Sequence, residues 1–256
     1  TLSGAGAVVK LGARTLTVPE FFAQYTGATW AEAGTLLYPG GYKSASHVIS
    51  SDAVVELAVA SGIRDFASTT FSGAGVLRKT GLGTAVWSVT ATTFALESNA
   101  LIDVQSGLFI GGSSGNEVWT NNKSGLHVAA GAVFSGVEAN VRVDAITGAG
   151  LLQSGYNGSG YQRLTIGVAG GSSTFDGVIA NGSAPCNLLK TGGGTIILAG
   201  TNTYTGTTTI SNGTLRLAAA LGSTLTTNTV VTLAGGTLSL AGVSQTVASL
   251  TVPLAS

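Results

Sequence analysis

The apolar positions of this chain recur in short runs. Ile196 to Leu198, Thr207 to Ile210 and Thr214 to Leu217 are β-branched or leucine-rich stretches of three or four residues. Each is too short for a helix and suits a strand of about 4–6 residues. Gly192 to Gly194, Gly200, Gly206 and Gly213 fall between them, where a chain needs a positive φ or a sharp corner. The segment therefore reads as strand, corner, strand, corner, strand, a coil that can stack on copies of itself.

The same logic runs along the chain. Ser3-Gly4-Ala5-Gly6 leads into Val8-Val9-Lys10-Leu11-Gly12, and Ser72-Gly73-Ala74-Gly75 into Val76 to Gly81. Thr147-Gly148-Ala149-Gly150 leads into Leu151-Leu152-Gln153-Ser154-Gly155, and a fourth copy is Leu188-Leu189-Lys190-Thr191-Gly192. Lys10, Lys79, Gln153 and Lys190 are successively 69, 74 and 37 residues apart. Such spacings point to units of two or three coils with insertions, as in a solenoid.

Further strands are expected at Ala45 to Val59, Phe94 to Leu96, Leu101 to Val104, Leu108 to Ile110, Leu126 to Val128, Val133-Phe134 and Val141 to Val143. Residues 19–65 are the least regular. A short helix over Pro19 to Tyr25 competes there with loop, and Gly40-Gly41 reads as a protruding loop. Ser113 to Lys123 and Asn157 to Tyr161 read as polar excursions. The expectation is one continuous domain over residues 1–256.

Composition fits many corners. Gly is 39 of 256 residues and hydrophobic residues are 44 %, yet charged residues are 9 %, against roughly 25 % in average soluble domains. Net charge is zero, so no basic footprint for nucleic acid or anionic membrane exists. A charge-poor surface favours association with itself or with other surfaces. Cys186 is the one cysteine, which rules out an intrachain disulfide. The chain has no Met, as in a processed chain or an excised fragment. Its N-terminus shows no basic region followed by an apolar run, and no apolar run approaches the roughly 18 residues of a membrane helix.

Residues Lys190 to Leu215 carry a family resemblance. Lys-Thr-Gly-x-Gly-Thr, an apolar alternation, Gly-x-Asn-x-Tyr-Thr-Gly-x-Thr and Gly-Thr-Leu follow one another at full repeat spacing. This stretch resembles the autotransporter-associated β-strand repeat, or passenger-associated transport repeat. The rest of the chain matches in fragments. The resemblance implies an all-β, right-handed parallel β-helix in a secreted bacterial surface protein, without the family's C-terminal outer-membrane barrel. It implies no particular activity. At about 20–25 residues per coil and ~4.8 Å between coils, about ten to twelve coils are expected. Both chain ends read as uncapped repeat.

The carboxylates are the first candidates for catalysis. Glycoside cleavage needs two of them roughly 5–9.5 Å apart. Asp103 and Asp144 could meet across coils, but separate solvated faces are the simpler reading. A triad of His47 or His127 with Asp52 and a serine lacks a Gly-x-Ser-x-Gly elbow. Two His and one Cys without close spacing do not make a zinc site. Gly170 to Asp176 resembles a single calcium repeat but does not recur. No metal or cofactor is expected. Cys186 reads as a buried small residue.

Tyr25, Trp30, Tyr38, Tyr42 and Trp119 lie outside the recognised repeats and read as loop aromatics that contact a glycan or host protein. A small core under a loop is the alternative. The functional expectation is an extracellular structural solenoid that builds or extends a surface fibre by self-association. An adhesin acting through those aromatics is the second reading, and a polysaccharide-cleaving enzyme the third.

Overall fold

A computed structural model describes residues 1–88, 91–113, 117–157, 160–218, 225–242 and 244–253. Among them there is no helix, and every pairing of named strands is parallel. The chain is a parallel β-solenoid. Its longest sheet has eleven strands, one per coil: Leu16–Thr17, Gly34–Tyr38, Ala53–Ala58, Val76–Thr80, Leu101–Val104, Gly125–Val128, Ile146–Gly148, Ser173–Phe175, Thr195–Leu198, Thr214–Leu217 and Thr237–Ser239. The expected coil number therefore holds.

Two further faces complete the coil. The first begins as a six-stranded sheet from Val8–Lys10 to Glu117–Val118 and continues as a five-stranded sheet from Arg163–Ile166 to Ser249–Thr251. Between the two, Arg142 makes a single bridge to Thr165 of the second. The third face runs from Ile63–Asp65 to Val178–Asn181. Below it, Leu2–Gly4 pairs with Ala23–Tyr25.

Strand alternation builds the core. Ala53–Ala58 and Thr92–Leu96 bury every second residue, because successive side chains point to opposite faces. Parallel register then stacks like on like. Leu36, Val55, Leu77, Ile102, Leu126 and Ile146 form one fully buried column on the second face. Each such side chain contributes about 1.5–3 kcal/mol. The wall between coils is close enough to demand glycine at set points. A Cβ on Gly206 would overlap the carbonyl of Cys186, and one on Gly27 the carbonyl of Gly6.

Four local expectations are corrected. Pro19 to Tyr25 forms no helix; the chain turns and enters the strand Ala23–Tyr25. Gly40 and Gly41 do not protrude but are buried against the side chain of Glu20. Val141 to Val143 makes only the bridge at Arg142. The four sequence copies also do not mark equivalent positions. Lys10 and Lys190 lie on the first face, Lys79 on the second and Gln153 on the third. A glycine-rich corner followed by a strand serves every face, so its recurrence counts corners rather than whole coils. Parts of the excursions predicted at Ser113 to Lys123 and Asn157 to Tyr161, namely residues 114–116 and 158–159, lie outside the described residues, as do residues 254–256 of the expected uncapped end.

Candidate functional site

The five predicted aromatic contacts separate into one exposed ring and four buried ones. Trp30 is 42 % exposed on the outer side of Ala28–Ala31. Tyr25, Tyr38, Tyr42 and Trp119 are each 3 % exposed or less. Tyr25 and Tyr38 are strand residues, and Trp119 directly follows the short strand Glu117–Val118. The loop-aromatic reading is thereby corrected for these four: they have almost no surface to offer a partner, and packing accounts for them.

The tyrosines anchor a buried polar network. Tyr25 Oη lies 2.6 Å from Thr29 Oγ1 and 3.0 Å from Tyr38 Oη. Thr29 donates to Ser44 Oγ at 2.8 Å. His47 Nδ1 is 3.0 Å from Thr69 Oγ1, and Nε2 is 3.3 Å from Tyr38 Oη. Burial raises the Tyr38 phenol well above its ordinary value, with Tyr25 adding to the effect. It lowers His47 to about 3. This histidine is neutral at physiological pH and meets hydroxyls rather than a carboxylate, so it is no general base for an outside substrate.

From this network an aromatic stack rises through the core. Tyr42 packs on Phe66 at 5.2 Å and Phe66 on Trp87 at 5.7 Å. Phe71 stacks on Phe94 at 5.7 Å, Phe94 on Trp119 at 4.2 Å and Phe109 on Phe134 at 5.4 Å. The Trp87 and Trp119 indoles donate to Tyr42 Oη and the Gly111 carbonyl at 2.9 and 2.7 Å, which settles their polar edges.

Three lysines form a recurring device. Lys10 Nζ donates to the carbonyls of Leu11, Gly12 and Ala33 at 3.0, 2.5 and 2.7 Å. Lys79 reaches Thr80, Gly81 and Ser106 at 2.9, 2.8 and 3.1 Å. Lys190 reaches Thr191, Gly192 and Asn212 at 2.6, 2.8 and 3.2 Å. An ammonium has three protons and no acceptor, so three carbonyls satisfy it completely. Two belong to its own corner and the third to the next coil, so each lysine ties a corner to the coil above. Burial pulls Lys79 down to about 8 and also lowers Lys190, the latter opposed by Asp144. The signal for this clamp was present as Lys-x-Gly at Lys10, Lys79 and Lys190, with Gly12, Gly81 and Gly192 all at positive φ.

The carboxylates considered for catalysis do not converge. Asp103 accepts from Arg78 Nε at 2.8 Å and Gln105 Nε2 at 2.6 Å. It stands in register with His127, not with Asp144. Asp144 accepts from the amides of Ala169 and Gly171 at 2.8 and 3.0 Å, closing a corner. Among the described residues no three His, Cys, Asp or Glu gather as metal ligands, and no helix is long and apolar enough to cross a membrane. Cys186 is buried as expected, and burial pushes its thiol up to about 12.

Comparison with known proteins agrees with this geometry. The passenger-associated-transport-repeat family matches residues 8–37 and 188–217. The two matches share Tyr-Thr-Gly-x-Thr, at Tyr25 to Thr29 and Tyr204 to Thr208, and the same tyrosine–threonine bond, 2.6 Å in one and 2.7 Å in the other. Tyr25 and Trp30 thus lie inside a repeat. The chain is also similar to the adhesin BmaC autotransporter of Brucella suis biovar 1 (strain 1330). Identity is 33 % over 132 aligned residues, covering 43 % of this chain and 4 % of that protein. This chain therefore spans a small part of its relative. No solved structure matches it. By sequence and by fold, the chain is a β-solenoid that carries the passenger-associated transport repeat of autotransporter passengers.

Proposed function

We propose that this chain is a length of rod in an extracellular autotransporter passenger, and that its work is mechanical: to hold surface elements away from the cell and to associate with other rods as a fibre. The observation that carries the reading is the continuous eleven-strand sheet, one strand per coil. Its inward columns are filled, and its buried lysines and the carboxylates Asp103 and Asp144 are spent on holding strands and corners. The repeat match supports secretion and surface exposure. Side-by-side association is the finer part of the proposal. It draws on a surface with few charges and on exposed apolar rings such as the Phe21–Phe22 pair, 5.4 Å between centroids.

The test is electron microscopy of the purified, untagged chain at near-native concentration. Laterally associated fibres are expected; isolated short rods at all concentrations would remove the assembly part of the reading. An adhesive role is the second reading, supported by the relative's name and by the exposed Trp30 ring. It predicts that Trp30→Ala weakens binding to host glycan or protein while leaving the fold intact. A polysaccharide-cleaving role predicts release of reducing ends from surface polysaccharide, and none is expected.

A further inference from the structure

The first face is incomplete in one place. Between Glu117–Val118 and Arg163–Ile166 it has no named strand, only the bridge at Arg142. From this gap three hollows of about 360, 390 and 230 Å³ climb the wall. Asn140 and Arg163 line both the first and the second, and Arg163, Asn187 and Thr207 both the second and the third. They are one continuous trough from residue 117 to residue 209. It crosses five successive coils, roughly 20 Å along the axis at the usual spacing.

Its lining is rich in donors. Asn140 is partly spent: its Oδ1 accepts from the Arg163 amide at 3.1 Å, and its Nδ2 donates to the Gly160 carbonyl at 2.7 Å, which leaves one amide hydrogen. Asn187 accepts from the amide and hydroxyl of Thr207 at 2.9 and 3.1 Å, which leaves its own amide hydrogens unspent. Arg142 and Arg163 bring two guanidiniums. The ion pairs among the described residues are elsewhere, at Arg64–Glu20 and Arg78–Asp103. Arg142 lines the first hollow half-buried; its Nε is closed off without an acceptor, so an anion in the trough would meet only the rest of the guanidinium. Glu117 is the one carboxylate in the lining, and its Oε2 accepts from the Ser113 amide at 2.7 Å. Tyr161 supplies a half-buried ring.

We infer that this trough binds an acidic glycan, a chain bearing carboxylate or sulfate groups laid along the rod axis. Two guanidiniums lining one trough call for anionic oxygens. A polar, open, elongated trough with one ring suits a hydroxyl-rich chain. The strand Asn187–Lys190 is paired on both sides, so the upper part of the trough offers no free edge for strand addition; Arg163–Ile166 ends its sheet with only the Arg142 bridge on its open side, and an acidic peptide in the test probes that edge. The inference goes beyond the rod reading and does not depend on fibre formation. It also gives adhesion a site other than Trp30.

The test measures binding of the whole chain to immobilised polygalacturonate and heparin. Dextran serves as the neutral glycan, poly-glutamate as the acidic peptide and inorganic phosphate as a free competitor. Binding to polygalacturonate or heparin that weakens with salt is expected. Arg142→Gln with Arg163→Gln should weaken it by about tenfold or more, and Trp30→Ala should not change it. Polygalacturonate and heparin separate carboxylate from sulfate as the recognised group. Arg163 is exposed, so Arg163→Gln alone keeps the fold and should still weaken binding several-fold. Equal binding to dextran or poly-glutamate, displacement by phosphate at equal charge, full affinity in the arginine variants, or no binding to either acidic glycan would each overturn the inference. Microscopy of the same samples judges the rod reading separately.

Discussion

The aromatic middle of the rod and its repeat-bearing section fill the same core by different means. From Tyr38 to Phe134 the interior holds interlocked rings, with Phe94 in contact with Phe71, Trp87, Phe109 and Trp119. From Leu188 to Leu217 it holds Ile, Leu and Thr in straight columns, such as Ile196 on Leu215 and Leu188 on Thr208, with Tyr204 as its one buried ring. Small side chains stack identically from coil to coil, so their sequence repeats. Rings take tilted, stacked and edge-on poses that differ at every level, so no short motif describes them. The family match accordingly falls on residues 8–37 and 188–217 and leaves the middle unmatched.

If the rings anchor the rod, removing one should cost most. Phe94→Ala leaves a ring-sized void among four aromatics, and a loss of about 3–5 kcal/mol is expected. Ile196→Val, at an equally buried site of the repeat section, should cost about 0.5–1.5 kcal/mol. Denaturant unfolding followed near each site checks the pair, and equal costs would erase the contrast.

The clamp sharpens the comparison from the repeat side. Lys190→Met keeps the aliphatic stem but removes the donor from three carbonyls. A loss of about 1–3 kcal/mol is expected for each buried group left without a partner and without access to water. Water reaching the corner would reduce this, so the lower end of the range is the expected total. The same change at Lys79 should act alike, because the geometry is the same on another face.

Acid should loosen the aromatic section selectively. His47 is held near 3 in the fold by burial and titrates near 6.5 when unfolded. Between these values the unfolded chain binds more protons, so stability falls as pH drops from about 6.5 toward 3, by about 1.4 kcal/mol per unit at most. His47→Gln should flatten that slope in a pH series of unfolding midpoints. The smallest effect is expected from Tyr204→Phe. It removes the 2.7 Å bond to Thr208, whose hydroxyl keeps Thr229 at 3.1 Å, at a cost of about 0.5–1.5 kcal/mol.

Much of this fold was legible in the sequence because its strands obey local rules. Ile196 to Leu198, Leu101 to Val104 and Leu108 to Ile110 are short apolar runs bounded by corner residues, and each is a strand. The site was less legible. Tyr25 lies between Gln24 and Thr26 and Tyr38 just before Pro39-Gly40-Gly41, so both read as loop residues, although each joins a buried hydroxyl network. Lys10, Lys79 and Lys190 read only as markers of the repeat, since the carbonyls that hold them become neighbours only once the corner folds and the next coil is laid down. The trough was invisible for a related reason: Arg142, Arg163 and Asn187 lie more than 20 residues apart in sequence and meet only through coil stacking.

Hydrogen exchange read along the whole chain tests the central contrast most directly. Local opening is governed by local packing, and in a solenoid each coil leans only on its neighbours. The account predicts the slowest amide exchange in Thr70–Gly73, Thr92–Leu96 and Leu108–Ile110, and faster exchange in Thr195–Leu198, Thr208–Ile210 and Thr214–Leu217. Uniform protection along the rod, or the slowest exchange in the repeat section, would contradict it.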